Sequence, residues 1–117
     1  MSLIVGSRPE GPFTVISVAG EIDMATVSGL RDALETALHQ PDPRLILDLS
    51  RVDFCDSSGL AVLVAARRRL PPEAPLRLAG AQPIVARVLQ VTGLAEVFPQ
   101  FRSVTEAINA ADSSTTA

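Results

Sequence analysis

The sequence predicts an α/β domain with a mixed, mostly parallel β-sheet of four to five strands and about four α-helices. Three observations carry this reading. Two β-rich runs open the chain across a turn-forming stretch, segments with helical spacing then alternate with short β-rich runs, and proline or glycine closes the first three helical segments. A chain of 117 residues is one domain, long enough to bury a core without disulfide or metal staples. The domain is expected over residues 1–111, with residues 112–117 as a flexible tail that has nothing to bury.

Leu3-Ile4-Val5 and Phe13 to Ala19 read as strands, and Arg8-Pro9-Glu10-Gly11-Pro12 between them reads as a hairpin turn, so this pair is antiparallel. Val27, Leu30, Leu34 and Leu38 recur at helical spacing, which predicts a first helix from about Ala25 to Gln40 that Pro41 and Pro43 end. Arg44 to Leu49 is the next strand, with Leu45, Leu47 and Leu49 on one face and Ile46 on the other, as in a sheet covered on both sides. A second helix runs from about Ser57 to Leu70 on a stripe of Leu60, Leu63 and Val64, and Pro71-Pro72 stops it. Leu76 to Ala81 is a strand. Pro83 opens a third helix buried through Ile84, Val88 and Leu89, and Thr92-Gly93-Leu94 has the form of a glycine C-cap. Val97-Phe98 is a short strand candidate. Ser103-Val104-Thr105-Glu106 has capping-box spacing before the apolar Ala107 and Ile108 of a fourth helix. Right-handed crossovers complete the topology.

Composition removes whole classes of chemistry. All ten basic residues are arginine. Without lysine, a phosphate-loop lysine, a Schiff base and a Ser-Lys nucleophile pair are all absent. The net charge of −3 and the lack of Trp and Tyr argue against direct contact with nucleic acid, which asks for a basic face and stacking rings. No apolar run reaches the ~20 residues that span a bilayer, and the N-terminus lacks the basic-then-apolar form of a signal peptide. Cys55 is the single cysteine, so no disulfide closes within the chain and a cytoplasmic location is expected.

The segment that carries chemistry is Asp56-Ser57-Ser58-Gly59, between a buried strand and an apolar helix. It sets two hydroxyls at a helix N-terminus, where unpaired N–H groups and the positive end of the helix dipole favour an anion such as phosphate. Helix capping alone accounts for Asp56 and one serine, so the rest of the chain decides. Parallel topology brings Glu21-Ile22-Asp23 beside this turn at the carboxyl end of the sheet, the edge on which such folds form their sites. A serine hydrolase is excluded by inventory: His39, the only histidine, is expected at the far end of the first helix, and Cys55 stands where a nucleophile elbow wants glycine. Asp23, Asp53 and Asp56 lack the alternation of a calcium loop, and no Cys/His pair exists to hold a transition metal, so neither metal nor cofactor is expected. Gly59, Val62 and Ala66 recur on the side of the second helix away from its leucines. They read either as a smooth strip open to a partner protein or as packing against a neighbouring helix. Arg67-Arg68-Arg69 suits the negative end of the helix dipole.

Taken in order, Gly20-Glu21-Ile22-Asp23, Leu47-Asp48-Leu49, Val52-Asp53-Phe54, Asp56-Ser57-Ser58-Gly59-Leu60 and Thr92-Gly93-Leu94 resemble the STAS domain, and more narrowly the stand-alone anti-sigma factor antagonists. The resemblance runs from Leu3 to about Ala111; Cys55 stands where relatives often carry another apolar residue such as Met, and is expected to pack as a small hydrophobe. It implies a non-enzymatic regulator whose unphosphorylated form binds an anti-sigma factor that is also a serine kinase, and so frees a sigma factor for transcription. It further implies phosphorylation of Ser57, with Ser58 the other candidate, and a phosphoserine phosphatase that resets the switch. Glu21, Asp23, Asp56, Ser57, Ser58, Gly59, Val62 and Ala66 form the partner surface expected on this reading. The alternative is a constitutive STAS accessory subunit of a phospholipid-transport ABC system.

Overall fold

In the computed structural model, which describes residues 2–111, the hairpin pairs β1 (Leu3–Glu10) with β2 (Phe13–Ile22) in antiparallel register from Leu3↔Gly20 to Glu10↔Phe13. Gly11 turns the corner with a positive φ of 60°. The strand is longer than Leu3-Ile4-Val5 because Pro9 sits in an edge strand, where a missing N–H costs no ladder bond. After β2 come α1 (Val27–Leu38), β3 (Leu45–Cys55), α2 (Ser57–Arg68), β4 (Arg77–Ala79), α3 (Pro83–Val91), β5 (Gln100–Phe101) and α4 (Val104–Asn109). The five strands lie in sequence order; β2·β3, β3·β4 and β4·β5 are parallel.

Helices α1, α2 and α3 bury one face of the sheet through Leu30, Leu34, Leu63, Val85 and Leu89 against Ile16, Leu45, Leu47 and Leu78. On the other face α4 covers a smaller cluster of Phe13, Val15, Ile46 and Ala79 with Ala107. The leucine-in, isoleucine-out alternation of Leu45 to Leu49 is therefore the signature of a strand sandwiched between two layers.

Four expectations need correction, one in α3, which buries Val85 with Leu89 and leaves Ile84 exposed, and three in the strands. First, β3 does not end at Leu49 but continues to Cys55. Its inward residues are Leu49, Val52 and Cys55, three apart rather than two. Two register shifts against β2, between Ser17 and Ala19 and between Gly20 and Glu21, each insert a residue on β3 and return the next apolar side chain to the core. Second, Val97-Phe98 is not a strand. Gly93, at φ 80°, closes α3 and leads into a 3₁₀ turn over Leu94–Glu96. Phe98 is buried as a turn residue, and pairing with β4 starts at Gln100. Third, the strand expected over Leu76 to Ala81 shortens to three residues, because Gly80 takes φ 70°. The tail expected at 112–117 lies outside the described residues.

Candidate functional site

The carboxyl ends of β2 and β3 meet at Asp56. Its main-chain N–H donates to the Ile22 carbonyl at 3.0 Å, and its carboxylate caps α2 by accepting from the N–H of Ser58 at 2.8 Å and of Gly59 at 3.4 Å. The Ser58 hydroxyl donates to the same oxygen at 2.5 Å. These bonds hold the Asp56 carboxyl below its ordinary value; the Ser58 hydroxyl is the largest cause, and the N–H groups of Ser58, Gly59 and Met24 add to it against a smaller opposing effect of burial. Asp56 thus ties the α2 N-terminus to the end of β2, its carboxylate on the helix and its main-chain N–H on the strand.

The two serines are not equivalent. Ser58 is half-buried and its hydroxyl is committed to Asp56. Ser57 is exposed, and among the described residues its hydroxyl has no hydrogen-bond partner. It stands on the first turn of a twelve-residue helix, where N–H groups lack intrahelical acceptors.

Asp23 lies on the neighbouring loop, as the parallel topology requires. Its carboxylate accepts from the N–H of Ala25 at 2.9 Å and of Thr26 at 3.1 Å, while the Thr26 hydroxyl accepts from the Asp23 N–H at 3.0 Å and donates to the Glu21 carbonyl at 2.7 Å. This Asp-Thr turn occupies the first residues assigned from sequence to the helix, so α1 begins at Val27. Glu21 is half-buried in β2 itself, paired in register with Phe54.

Gly59, Val62 and Ala66 do not form an open strip. All three are buried: Val62 and Ala66 join the main core beneath α2, and a Cβ added to Gly59 would come within 2.6 Å of both Cys55 Sγ and Ile22 Cγ2. The packing alternative was the right one, because α2 is covered by β3 on one flank and by α1 on the other, which leaves Ser57, Ala61, Ala65 and Arg68 outward. We expect Gly59→Ala to destabilise the domain by about 1–2 kcal/mol in urea unfolding, since overpacking of about 1–3 kcal/mol outweighs the gain in helix propensity.

Two further residues stand at this edge that the sequence does not mark as part of the site. Met24 is 83% exposed and Phe54 39% exposed, and they flank the Asp56 turn from the β2 loop and the β3 end. Their signal was a large apolar side chain next to an aspartate at each strand exit. Cys55, below them, is buried, and burial together with the nearby Asp56 charge pushes its thiol up to about 11. At pH 8 its thiolate fraction falls roughly a hundredfold below that of a free cysteine. Labelling of native protein by a maleimide should accordingly be slow, and become fast in denaturant; equal rates would show that the strand end opens freely.

Among the described residues no group of His, Cys, Asp and Glu is arranged to hold a metal ion, and no helix is long and apolar enough to cross a membrane. What remains defines a class: a small α/β module that offers a capped helix N-terminus with one free hydroxyl, framed by apolar side chains. The chain belongs to the STAS domain family, whose model, described as Mlab, STAS domain, matches residues 8–102. It is 28% identical over 107 residues to the anti-sigma-F factor antagonist RsfB of Mycobacterium tuberculosis, covering 92% of this chain and 88% of that one. An anti-sigma factor antagonist from Mycobacterium paratuberculosis superposes with a TM-score of 0.82 at 31% identity over 91% of both chains. The antagonist SpoIIAA superposes in its unphosphorylated form with a TM-score of 0.76 at 28% identity, over 91% of this chain and 94% of that one. The phosphorylated form of the Bacillus protein gives 0.69 at 26% identity, over 91% and 97%.

Proposed function

We propose that this chain is an anti-sigma factor antagonist switched by phosphorylation of Ser57. Unmodified, it binds an anti-sigma factor with serine kinase activity through the Asp56 turn and the Asp23-Met24 loop, and so releases a sigma factor. The observation that carries the reading is the division of labour between two adjacent serines: Ser58 is spent on Asp56, and Ser57 alone offers an exposed, uncommitted hydroxyl. A phosphoacceptor needs no base of its own, because a kinase brings base, ATP and magnesium. The names of the relatives support the antagonist role, and SpoIIAA, solved with and without phosphate, supports modification within this fold. A phosphoserine phosphatase would return the protein to its binding form.

The test is incubation with a cognate anti-sigma kinase and labelled ATP, followed by mapping of the modified residue. Phosphate on Ser57 supports the reading; phosphate on Ser58, or none with binding intact, overturns the acceptor assignment. Binding to a transporter ATPase in place of any anti-sigma factor would favour a transport accessory subunit. Within the proposed surface, Asp23→Ala removes two main-chain hydrogen bonds that shape the loop carrying Met24. It should weaken binding about tenfold, the equivalent of about 1.4 kcal/mol, with a smaller fractional effect on stability. An unchanged dissociation constant would leave Asp23 as a turn residue only.

A further inference from the structure

We propose that the chain self-associates through β1, two copies pairing their β1 strands antiparallel about Val5 to join their sheets into one. Among the described residues β1, eight residues long, bonds only to β2, whereas the opposite edge of the sheet is the two-residue β5. A long open edge is a template for another strand. The phase of this edge follows from β2. The Thr14 N–H donates to the Arg44 carbonyl, on the β3 side; Pro9, opposite Thr14, therefore turns its main chain away from β2, and so by alternation do Leu3, Val5 and Ser7. Pro9 has no N–H and closes the ladder at that end. Pairing about Val5 sets Val5 against Val5 and Leu3 against Ser7 of the second copy, which uses every outward N–H from Leu3 to Ser7.

Side chains select the same register. Ile4 is 70% exposed on the sheet face that α4 leaves uncovered, and two residues along the same face the Cβ position of Gly6 has nothing within 4 Å. About Val5, each Ile4 stands directly opposite the other copy's Gly6, in the non-hydrogen-bonded positions where cross-strand side chains approach most closely. The two-fold makes this contact twice. Shifting the centre to Gly6 would put Ile4 against Arg8 and bring Pro9 to a bonded position. Charge does not oppose the contact, since Arg8 is already held within its own chain by Glu10 at 3.1 Å and Ser17 at 3.0 Å. On the helix side the residue over Val5 is the exposed Gly29, 3.7 Å from Val5 Cγ2 by its Cβ position, so α1 lays no side chain over Val5 from that position. The two Ser57 turns then open at opposite ends of the joined sheet, both free.

The contact is small, so the dimer is a weak one. Sedimentation of the full chain over a wide concentration range should show mass rising from one chain toward two, and Ile4→Lys should hold it at one with an unchanged circular dichroism spectrum. The register is read by crosslinking. An equimolar mixture of Ile4→Cys and Gly6→Cys chains, mildly oxidised, should form disulfide dimers at several times the yield of either variant alone, with buried Cys55 silent in both. A single-chain mass at every concentration overturns the proposal, as does a Gly6→Cys chain that crosslinks alone as well as the mixture does.

Discussion

The chain phosphorylated on Ser57 should bind the anti-sigma partner more than a hundredfold more weakly than the unmodified protein, Ser57→Asp should also bind weakly, and Ser57→Ala should bind normally yet take up no phosphate. The asymmetry follows from where the charge sits. A phosphate adds about −1.5 to −2 charges at neutral pH. In the free protein it stands on the first turn of α2, where unpaired N–H groups and the helix dipole offset much of its repulsion from Asp56 by up to ~2 kcal/mol. Where the partner is the kinase proposed above, whose surface already presents nucleotide phosphates, nothing comparable offsets the added charge, and a penalty of ~3 kcal/mol is more than two orders of magnitude in affinity. Isothermal titration with these proteins measures this directly. The far-ultraviolet circular dichroism of the phosphorylated chain should match that of the unmodified one, with amide exchange changed only near residues 54–62. Helical signal lost through Leu63 to Arg69 would mean that the switch works by unfolding α2 instead.

The sequence made the order of elements legible because their ends are chemically marked: Pro41 and Pro43 after α1, Pro71-Pro72 after α2, Pro83 and Gly93 around α3, Ser103 at the cap of α4. It hid what depends on contacts between elements. The continuation of β3 past Leu49 was invisible because the Leu49, Val52, Cys55 spacing is neither helical nor alternating, and only pairing with β2 reveals the two extra residues. The burial of Gly59, Val62 and Ala66 depends on how α1 leans on α2, which no spacing within α2 encodes. At the site, Asp56 and its two serines were readable as a cap with spare hydroxyls, yet which hydroxyl stays free rests on one 2.5 Å bond from Ser58. Met24 and Phe54 were hidden for the opposite reason: large apolar residues are assumed to face inward until a neighbouring element fails to cover them.

Arg77→Met should cost the domain about 3 kcal/mol and lower its melting temperature by more than about 10 °C, the largest stability effect expected of any single charged residue here. Arg77 is 4% exposed at the start of β4. Its guanidinium donates to the Ala107 carbonyl, to Ala110 at 3.1 Å and to Ala111 at 3.5 Å, and lies over the rings of Phe13 at 4.9 Å and Phe101 at 5.6 Å. The six-residue α4 is too short to hold itself together. Arg77 satisfies its terminal carbonyls and complements the negative end of its dipole while α4 covers Phe13, Val15, Ile46 and Ala79. A methionine fills much of the space but donates nothing, so buried carbonyls lose their partner and the layer over this face loosens. Arg77→Lys keeps the charge without the planar fork or the stacking and should fall between the two. Hydrogen exchange should rise first in 104–109, while the folded fraction still binds the partner, because Arg77 lies at the amino end of the sheet and Ser57 at the carboxyl end. A Met variant as stable as the parent, or exchange that spreads through α2 before α4, would show that the last helix is held by its apolar face alone.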